Sequence, residues 1–159
     1  MPYERPPLSK GLLAGREQAS DILINDEAFY AEQGITTMLD TPVVRVDFDA
    51  RTLHVERGEP LTYETLIIAT GARPRTFDIP GAHADGVYYL RTIGDARAIR
   101  EAASVAKRAV TIGGGFISME FASVLASQGV DTTMVFPEER VWARLFHARD
   151  LRVFRALLP

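Results

Sequence analysis

The residues best suited to chemistry in this sequence are three consecutive glycines, Gly113, Gly114 and Gly115. They follow the apolar run Ala109–Ile112 and precede a segment of helical character, Phe116–Gln128. Gly113 and Gly115 take the first two places of a G-x-G-x-x-G pattern, and Ser118 takes the third. In a strand–turn–helix setting the first glycine permits the tight turn. The second removes a side chain, so that a pyrophosphate can approach main-chain N–H groups at the positive end of the helix dipole. The third serves close helix–strand packing, for which serine is small enough. The chemistry implied is capture of a dinucleotide. The alternative is a βαβ unit whose glycine turn holds no ligand.

A site of this kind takes an acidic residue at the end of the next strand for the ribose hydroxyls. That place falls on Phe136, which has no polar group. Glu138 lies two residues on and reaches the ribose only if Pro137–Arg140 turns back. Glu138 would favour NADH, whereas the nearby Arg140 would favour a 2′-phosphate. The bland alternative for Glu138 is a solvated loop charge.

Much other chemistry is excluded. The chain has no cysteine, so these residues hold no disulfide framework, thiol nucleophile, zinc–thiolate site or redox dithiol. Its three histidines, His54, His83 and His147, make no metal-ligand spacing, and no metal is expected. With 18 basic and 21 acidic residues the net charge is −3, against a strongly basic nucleic-acid footprint. No apolar stretch reaches membrane-spanning length, and MPYERPPLSK lacks the apolar core of a secretory signal. A cytoplasmic protein is the expectation.

The elements that must position the glycine turn follow from periodicity. Residues 1–20 read as an extended loop with one helical turn at Leu8–Leu13. A short helix is expected at about 25–33, capped by Asn25 or Asp26 and ended by Gly34. Ile35–Leu39 reads as a short strand. Alternation of Val44, Val46 and Phe48 with Arg45 and Asp47, then of Leu53 and Val55 with their polar neighbours, marks half-buried antiparallel strands in a small meander. Thr65–Thr70 is apolar on both faces, as a strand buried in a parallel sheet would be. A turn-rich linker, 72–86, and a brief strand, Val87–Leu90, lead to a helix. That helix starts at Thr92 with a capping-box pattern in which Asp95 stands for Glu. Ala109–Ile112 reads as a buried strand, Thr132–Phe136 as a second parallel strand and Asp150–Leu158 as a helix. Trp142 and Phe146, four apart, read as packing.

Four segments, YERPPLSK at 3–10, IIATGARPR at 67–75, YYLRTIGDA at 88–96 and GGGFISMEFA at 113–122, together resemble the FAD-dependent pyridine nucleotide oxidoreductases. The resemblance is to the ferredoxin/rubredoxin reductase and apoptosis-inducing-factor branch, and covers nearly the whole chain in order. It implies an α/β class and a Rossmann-like FAD/NAD(P)-binding fold, partial, with a small antiparallel β meander. Residues 1–90 would be a partial FAD-binding domain and 91–159 a partial NAD(P)H-binding βαβ domain. The family's first βαβ unit, with its own FAD-binding glycines, would precede Met1, and a later FAD segment and C-terminal domain would follow Pro159, so a fragment is expected.

The resemblance also implies roles. Arg5, Pro6 and Lys10 would line the isoalloxazine side of FAD, and Val44 would approach the adenine end through its backbone. Thr70, Gly71 and Arg73 would pass near the FAD diphosphate and ribityl region. Gly113, Gly115, Phe116 and Ile117 would hold the NAD pyrophosphate and wall the nicotinamide. Lys10 and Glu120 would meet beside the flavin N5 as the catalytic pair, the lysine stabilising developing negative charge and the carboxylate holding the lysine. Taken alone, Lys10 and Glu120 read as an ordinary loop lysine and helix charge. The implied activity is hydride transfer from NADH to flavin. Electrons would leave for an external acceptor such as a ferredoxin, a rubredoxin or a quinone, because no cysteine pair stands where a disulfide reductase carries one. The other reading is a non-catalytic nucleotide-binding or interaction module that holds no FAD.

Overall fold

The computed structural model describes residues 1–142. The expected helix Asp150–Leu158 and the position of Phe146 lie outside the described residues. The chain forms two compact units, and both are discontinuous in sequence. One comprises Met1–Tyr3 and Leu23–Arg73; the other comprises Glu4–Ile22 and the described residues from Pro74 onward.

The first unit is tied at its start by an antiparallel bridge between Tyr3 and Leu23. Its helix α1, Glu27–Glu32, begins where the Asp26 carboxylate accepts from the Phe29 N–H at 2.9 Å. That side chain satisfies one of the donors a helix start leaves open. Gly34, at φ +66, ends the run. Strands β1, Val43–Asp47, β2, Thr52–Val55, and β3, Leu61–Thr62, form an antiparallel meander in the order β1-β2-β3. The third strand, two residues long, is one that the periodicity does not mark. A register irregularity between Val43 and Arg45 disrupts the alternation, and Val44 and Phe48 stay 63% and 66% exposed instead of facing a core.

Three expected strands are absent. Ile35–Leu39, Thr65–Thr70 and Val87–Leu90 carry no ladder among the described residues. A strand exists only where a neighbour takes its N–H and C=O groups, however β-prone the side chains. Ile67 is accordingly 84% exposed.

The second unit holds the glycine turn. A 3-10 turn at Pro6–Ser9 opens it, with prolines at its first positions where their missing N–H costs nothing. Of residues 1–20, expected as an extended loop with one helical turn at Leu8–Leu13, the part from Pro6 to Gly15 is a continuous series of turns. Leu8, Leu12, Leu13 and Ile22 are among the most deeply buried side chains described, because successive turns bring Leu8, Leu12 and Leu13 inward. Helix α2, Ile93–Val105, carries the full capping box: Thr92 Oγ1 accepts from the Asp95 N–H at 3.2 Å, and the Asp95 carboxylate accepts from the Thr92 N–H at 2.8 Å. Its Ile99 meets Leu13 and Val124 in one apolar cluster, and its Ala103 meets Leu125 and Val130 in another.

Strand β4, Arg108–Ile112, helix α3, Phe116–Ser127, and strand β5, Asp131–Val135, form a βαβ unit. The strands are parallel, with Ile112 opposite Val135 at the end that feeds the glycines. Among the described residues the sheet is covered on one face only. Ala109 and Thr111 are half-buried, whereas Val110 and Ile112 are exposed, so β4 is not the buried strand expected.

Candidate nucleotide and ion-pair site

The glycine turn has the geometry a diphosphate needs. Gly113 sits at φ +126, a conformation closed to ordinary side chains, and its N–H donates to the Val135 carbonyl at 2.8 Å. A Cβ on Gly113 would lie 2.7 Å from Ser118 Oγ. Ser118 packs beneath the strand end and donates to the Ile112 carbonyl at 3.4 Å. The third place of the pattern thus performs the close packing expected of it, and in doing so forbids a side chain at the first.

Gly115 behaves differently. It is the N-cap of α3 with extended backbone, and no side chain caps the helix. A Cβ there would meet nothing within 4 Å. The first N–H groups of a helix of 12 residues therefore face open space across a position with no side chain. This cradle fits a dinucleotide diphosphate: oriented donors, a positive dipole end and room for close approach. Phe116 and Ile117, 49% and 55% exposed, stand at its rim.

The segment after β5 does turn back. The Trp142 N–H donates to the Gly114 carbonyl at 3.0 Å, and the Trp142 and Phe116 rings lie 5.2 Å apart, tilted by 43°. Phe136 packs over Gly114, where a Cβ would come within 3.2 Å of its ring. Glu138 is half-buried within this returning loop. Neither the Phe136 contact nor the Trp142 closure was legible in the sequence, since both depend on where the loop goes.

The pair Lys10 and Glu120 meets. Lys10 Nζ lies 3.3 Å from Glu120 Oε1, although 110 positions of sequence separate the two residues. Glu120 is on the second turn of α3, and Lys10 directly follows the 3-10 turn. The packing of Leu13 against Val124 brings these elements together. Ser9, buried beside them, was missed by sequence reasoning. Its hydroxyl donates to Glu120 Oε2 at 2.5 Å. Pro6, Pro7 and Lys10 line an open depression of about 460 Å³ that also touches Glu4, Gly11, Arg16 and Glu17. Its two prolines offer apolar surface among charged neighbours. Arg5, exposed, is the N-cap of the 3-10 turn.

The other expected contacts lie in the first unit. Val44 is on β1, while Thr70, Gly71 and Arg73 form an exposed stretch in which Gly71 has φ +71. No group of histidine or carboxylate side chains able to hold a metal occurs among the described residues. No helix among them is long and apolar enough to cross a membrane.

The chain is similar to known proteins over nearly its whole length. Residues 1–152 match the model of the pyridine nucleotide-disulphide oxidoreductase family. The chain is 36% identical over 157 residues to the rubredoxin-NAD(+) reductase of Pseudomonas putida, covering 99% of this chain and 41% of that protein. It is 41% identical over 160 residues to the peroxisomal monodehydroascorbate reductase 2 of rice (Oryza sativa), covering 91% of this chain and 34% of that one. The crystal structure of a ferredoxin reductase from Rhodopseudomonas palustris superposes with a TM-score of 0.91 at 33% identity, over 99% of this chain and 39% of its own. The chain thus spans between about a third and two fifths of the length of these relatives. Its fold is the Rossmann-like FAD/NAD-binding α/β fold with a small antiparallel sheet. The chain belongs to the pyridine nucleotide-disulphide oxidoreductase family, whose members are FAD-dependent enzymes that use NAD(P)H.

Proposed function

We propose that this chain supplies the nicotinamide-binding turn and part of the flavin site of an NADH-dependent flavoprotein reductase that serves an external electron acceptor. The observation that carries the reading is the ion pair between Lys10 and Glu120, formed within one unit that also holds an open diphosphate cradle at Gly115. When bound, NADH and FAD would supply the hydride and electron chemistry, so no protein nucleophile would be required.

The protein's own residues orient and stabilise. The N–H groups at the start of α3 hold the NAD(P)H diphosphate, Phe116 and Ile117 wall its nicotinamide, and Glu138 takes a ribose hydroxyl. Arg5, Pro6 and Lys10 hold the ring side of FAD, with Val44, Thr70, Gly71 and Arg73 along the rest of it. Lys10 keeps a positive charge where negative charge develops, and Glu120 keeps Lys10 there. In this reading residues 1–90 belong to the flavin-binding part and 91–159 to the nicotinamide-binding part. The acceptor is an iron–sulfur or rubredoxin-type protein, or a small oxidised molecule such as a quinone. The cytoplasmic setting expected from the sequence belongs to the same proposal.

Titration of the chain with NADH, followed by fluorescence, tests the cradle. Gly115→Val places a branched side chain in the open space in front of the helix and is expected to weaken binding on the order of tenfold or more. A Cβ there meets nothing, so stability is expected to fall by no more than a helix cap is worth, about 1 kcal/mol. Equal affinity of the variant, or no binding by the parent chain, overturns the assignment.

A second reading has one observation in its favour. The Ile67–Arg73 stretch, assigned to flavin, is almost wholly exposed. A chain that binds NADH yet takes up no flavin and stays colourless would be a nucleotide-binding module without redox activity of its own.

A further inference from the structure

Ser9 is the one buried polar residue recorded among the described residues, at 4% exposure, and nothing in the hydride chemistry calls for it. It follows Leu8 and precedes Lys10, so the 3-10 turn presents a hydroxyl and an ammonium to the same carboxylate. Glu120 divides its two oxygens between them: Oε2 accepts from Ser9 Oγ, and Oε1 faces Lys10 Nζ at 3.3 Å. The Pro6 carbonyl is the other acceptor near the hydroxyl, and at 3.4 Å it is the weaker one.

The two arms differ in surroundings. Lys10 is 54% exposed and Glu120 30%, so the ion pair faces water and is weakly held by its own attraction. A long flexible lysine also loses rotamer freedom when it pairs. The hydroxyl is short, buried and fixed by the turn. We infer that Ser9 is the positioning residue of the pair, anchoring one oxygen of Glu120 so that the other is held toward Lys10. This rests on the reading of Lys10 as the charge beside the flavin, but its test is made on the chain without cofactor.

The measurement is the rate at which a dilute acetylating reagent modifies Lys10, quantified by mass spectrometry in the folded chain. An exposed ion pair hides its lysine only partly, so Ser9→Ala is expected to raise the Lys10 rate about two- to fivefold. Ser9→Thr, which keeps a hydroxyl, returns it toward the parent value. In an E120Q background, Ser9→Ala produces no further increase. A Ser9→Ala rate equal to the parent's, or an equal increase with and without Glu120, overturns the inference.

Should Ser9→Ala fail to fold, the unaltered chain still decides. A protected Ser9 hydroxyl proton with a nuclear Overhauser contact to the Glu120 side chain is expected, and a freely exchanging hydroxyl overturns the inference. A chain that passes these tests but binds no NADH would sink the functional reading and leave the anchoring intact.

Discussion

The glycines of the 113–115 turn are alike in sequence and different in physics. Gly113 is required by the fold. Its φ of +126 lies outside the basins open to side chains, and Ser118 Oγ occupies the space a Cβ would need. Gly113→Ala is expected to cost about 1–3 kcal/mol, read as a shift in the denaturation midpoint. An unchanged midpoint would mean that the turn can adopt another path. Gly115 is free of both constraints, and its missing side chain has a use only if a ligand approaches. A destabilised Gly113 variant beside a stable but non-binding Gly115 variant would separate scaffold from site within three residues. Lys10 and Glu120 make a similar point. Each is an unremarkable surface residue by type, and only their meeting gives them a shared role.

At the scale of elements, α2 depends on a locally closed cap. Burial alone would raise the Asp95 pKa, but hydrogen bonds from the Thr92 N–H, its own link to the Thr92 hydroxyl and the Arg91 N–H outweigh burial and lower it below the usual aspartate value. A lowered folded pKa means that the carboxylate stabilises the protein above its unfolded value and that this contribution disappears as pH falls through the folded one. Thr92→Ala is expected to cost about 1 kcal/mol, as loss of a helix cap does. The difference in melting temperature between the parent and D95N should shrink as the pH drops below about 4. A difference that is constant with pH would show that the charge is not what caps the helix. The strands teach the reverse lesson. Thr65–Thr70 has the side chains of a buried strand and no partner among the described residues, whereas the two-residue β3 exists because β2 lies beside it.

At the largest scale, the second unit is organised around the segment that looked least structured. Leu13, fully buried, joins α2 and α3 through Ile99 and Val124, and so holds the 3-10 turn against α3. Leu13→Ala is expected to lower stability by about 2–5 kcal/mol. It should also raise the Lys10 acetylation rate, since the elements carrying the pair lose their shared core. Loss of stability without that rise would locate the pair's support elsewhere. The second global feature is exposed apolar surface: Ile67 and Ile68 are 84% and 65% exposed in an extended stretch without a ladder. Such stretches template intermolecular pairing. A double Ile67→Lys and Ile68→Lys change is expected to reduce self-association in light scattering while leaving the melting temperature nearly unchanged. If self-association persists, the exposed face of the β4–β5 sheet, with Val110 and Ile112, becomes the surface to charge next.

What this sequence determined alone is what short-range chemistry encodes. The strand–glycine–helix unit, the Thr92–Asp95 cap, a cap at Asn25 or Asp26 and the antiparallel meander all arise from neighbours within a few positions, where residue type and backbone preference suffice. Four family-like segments in order added the family and the expected pairing of Lys10 with Glu120. Tertiary structure alone decided which apolar runs find partners, which glycine is structural and which is open, and that Ser9 reaches the second oxygen of Glu120. Those outcomes depend on burial and on contacts between residues up to 111 positions apart, and such contacts leave no pattern in the local order of side chains.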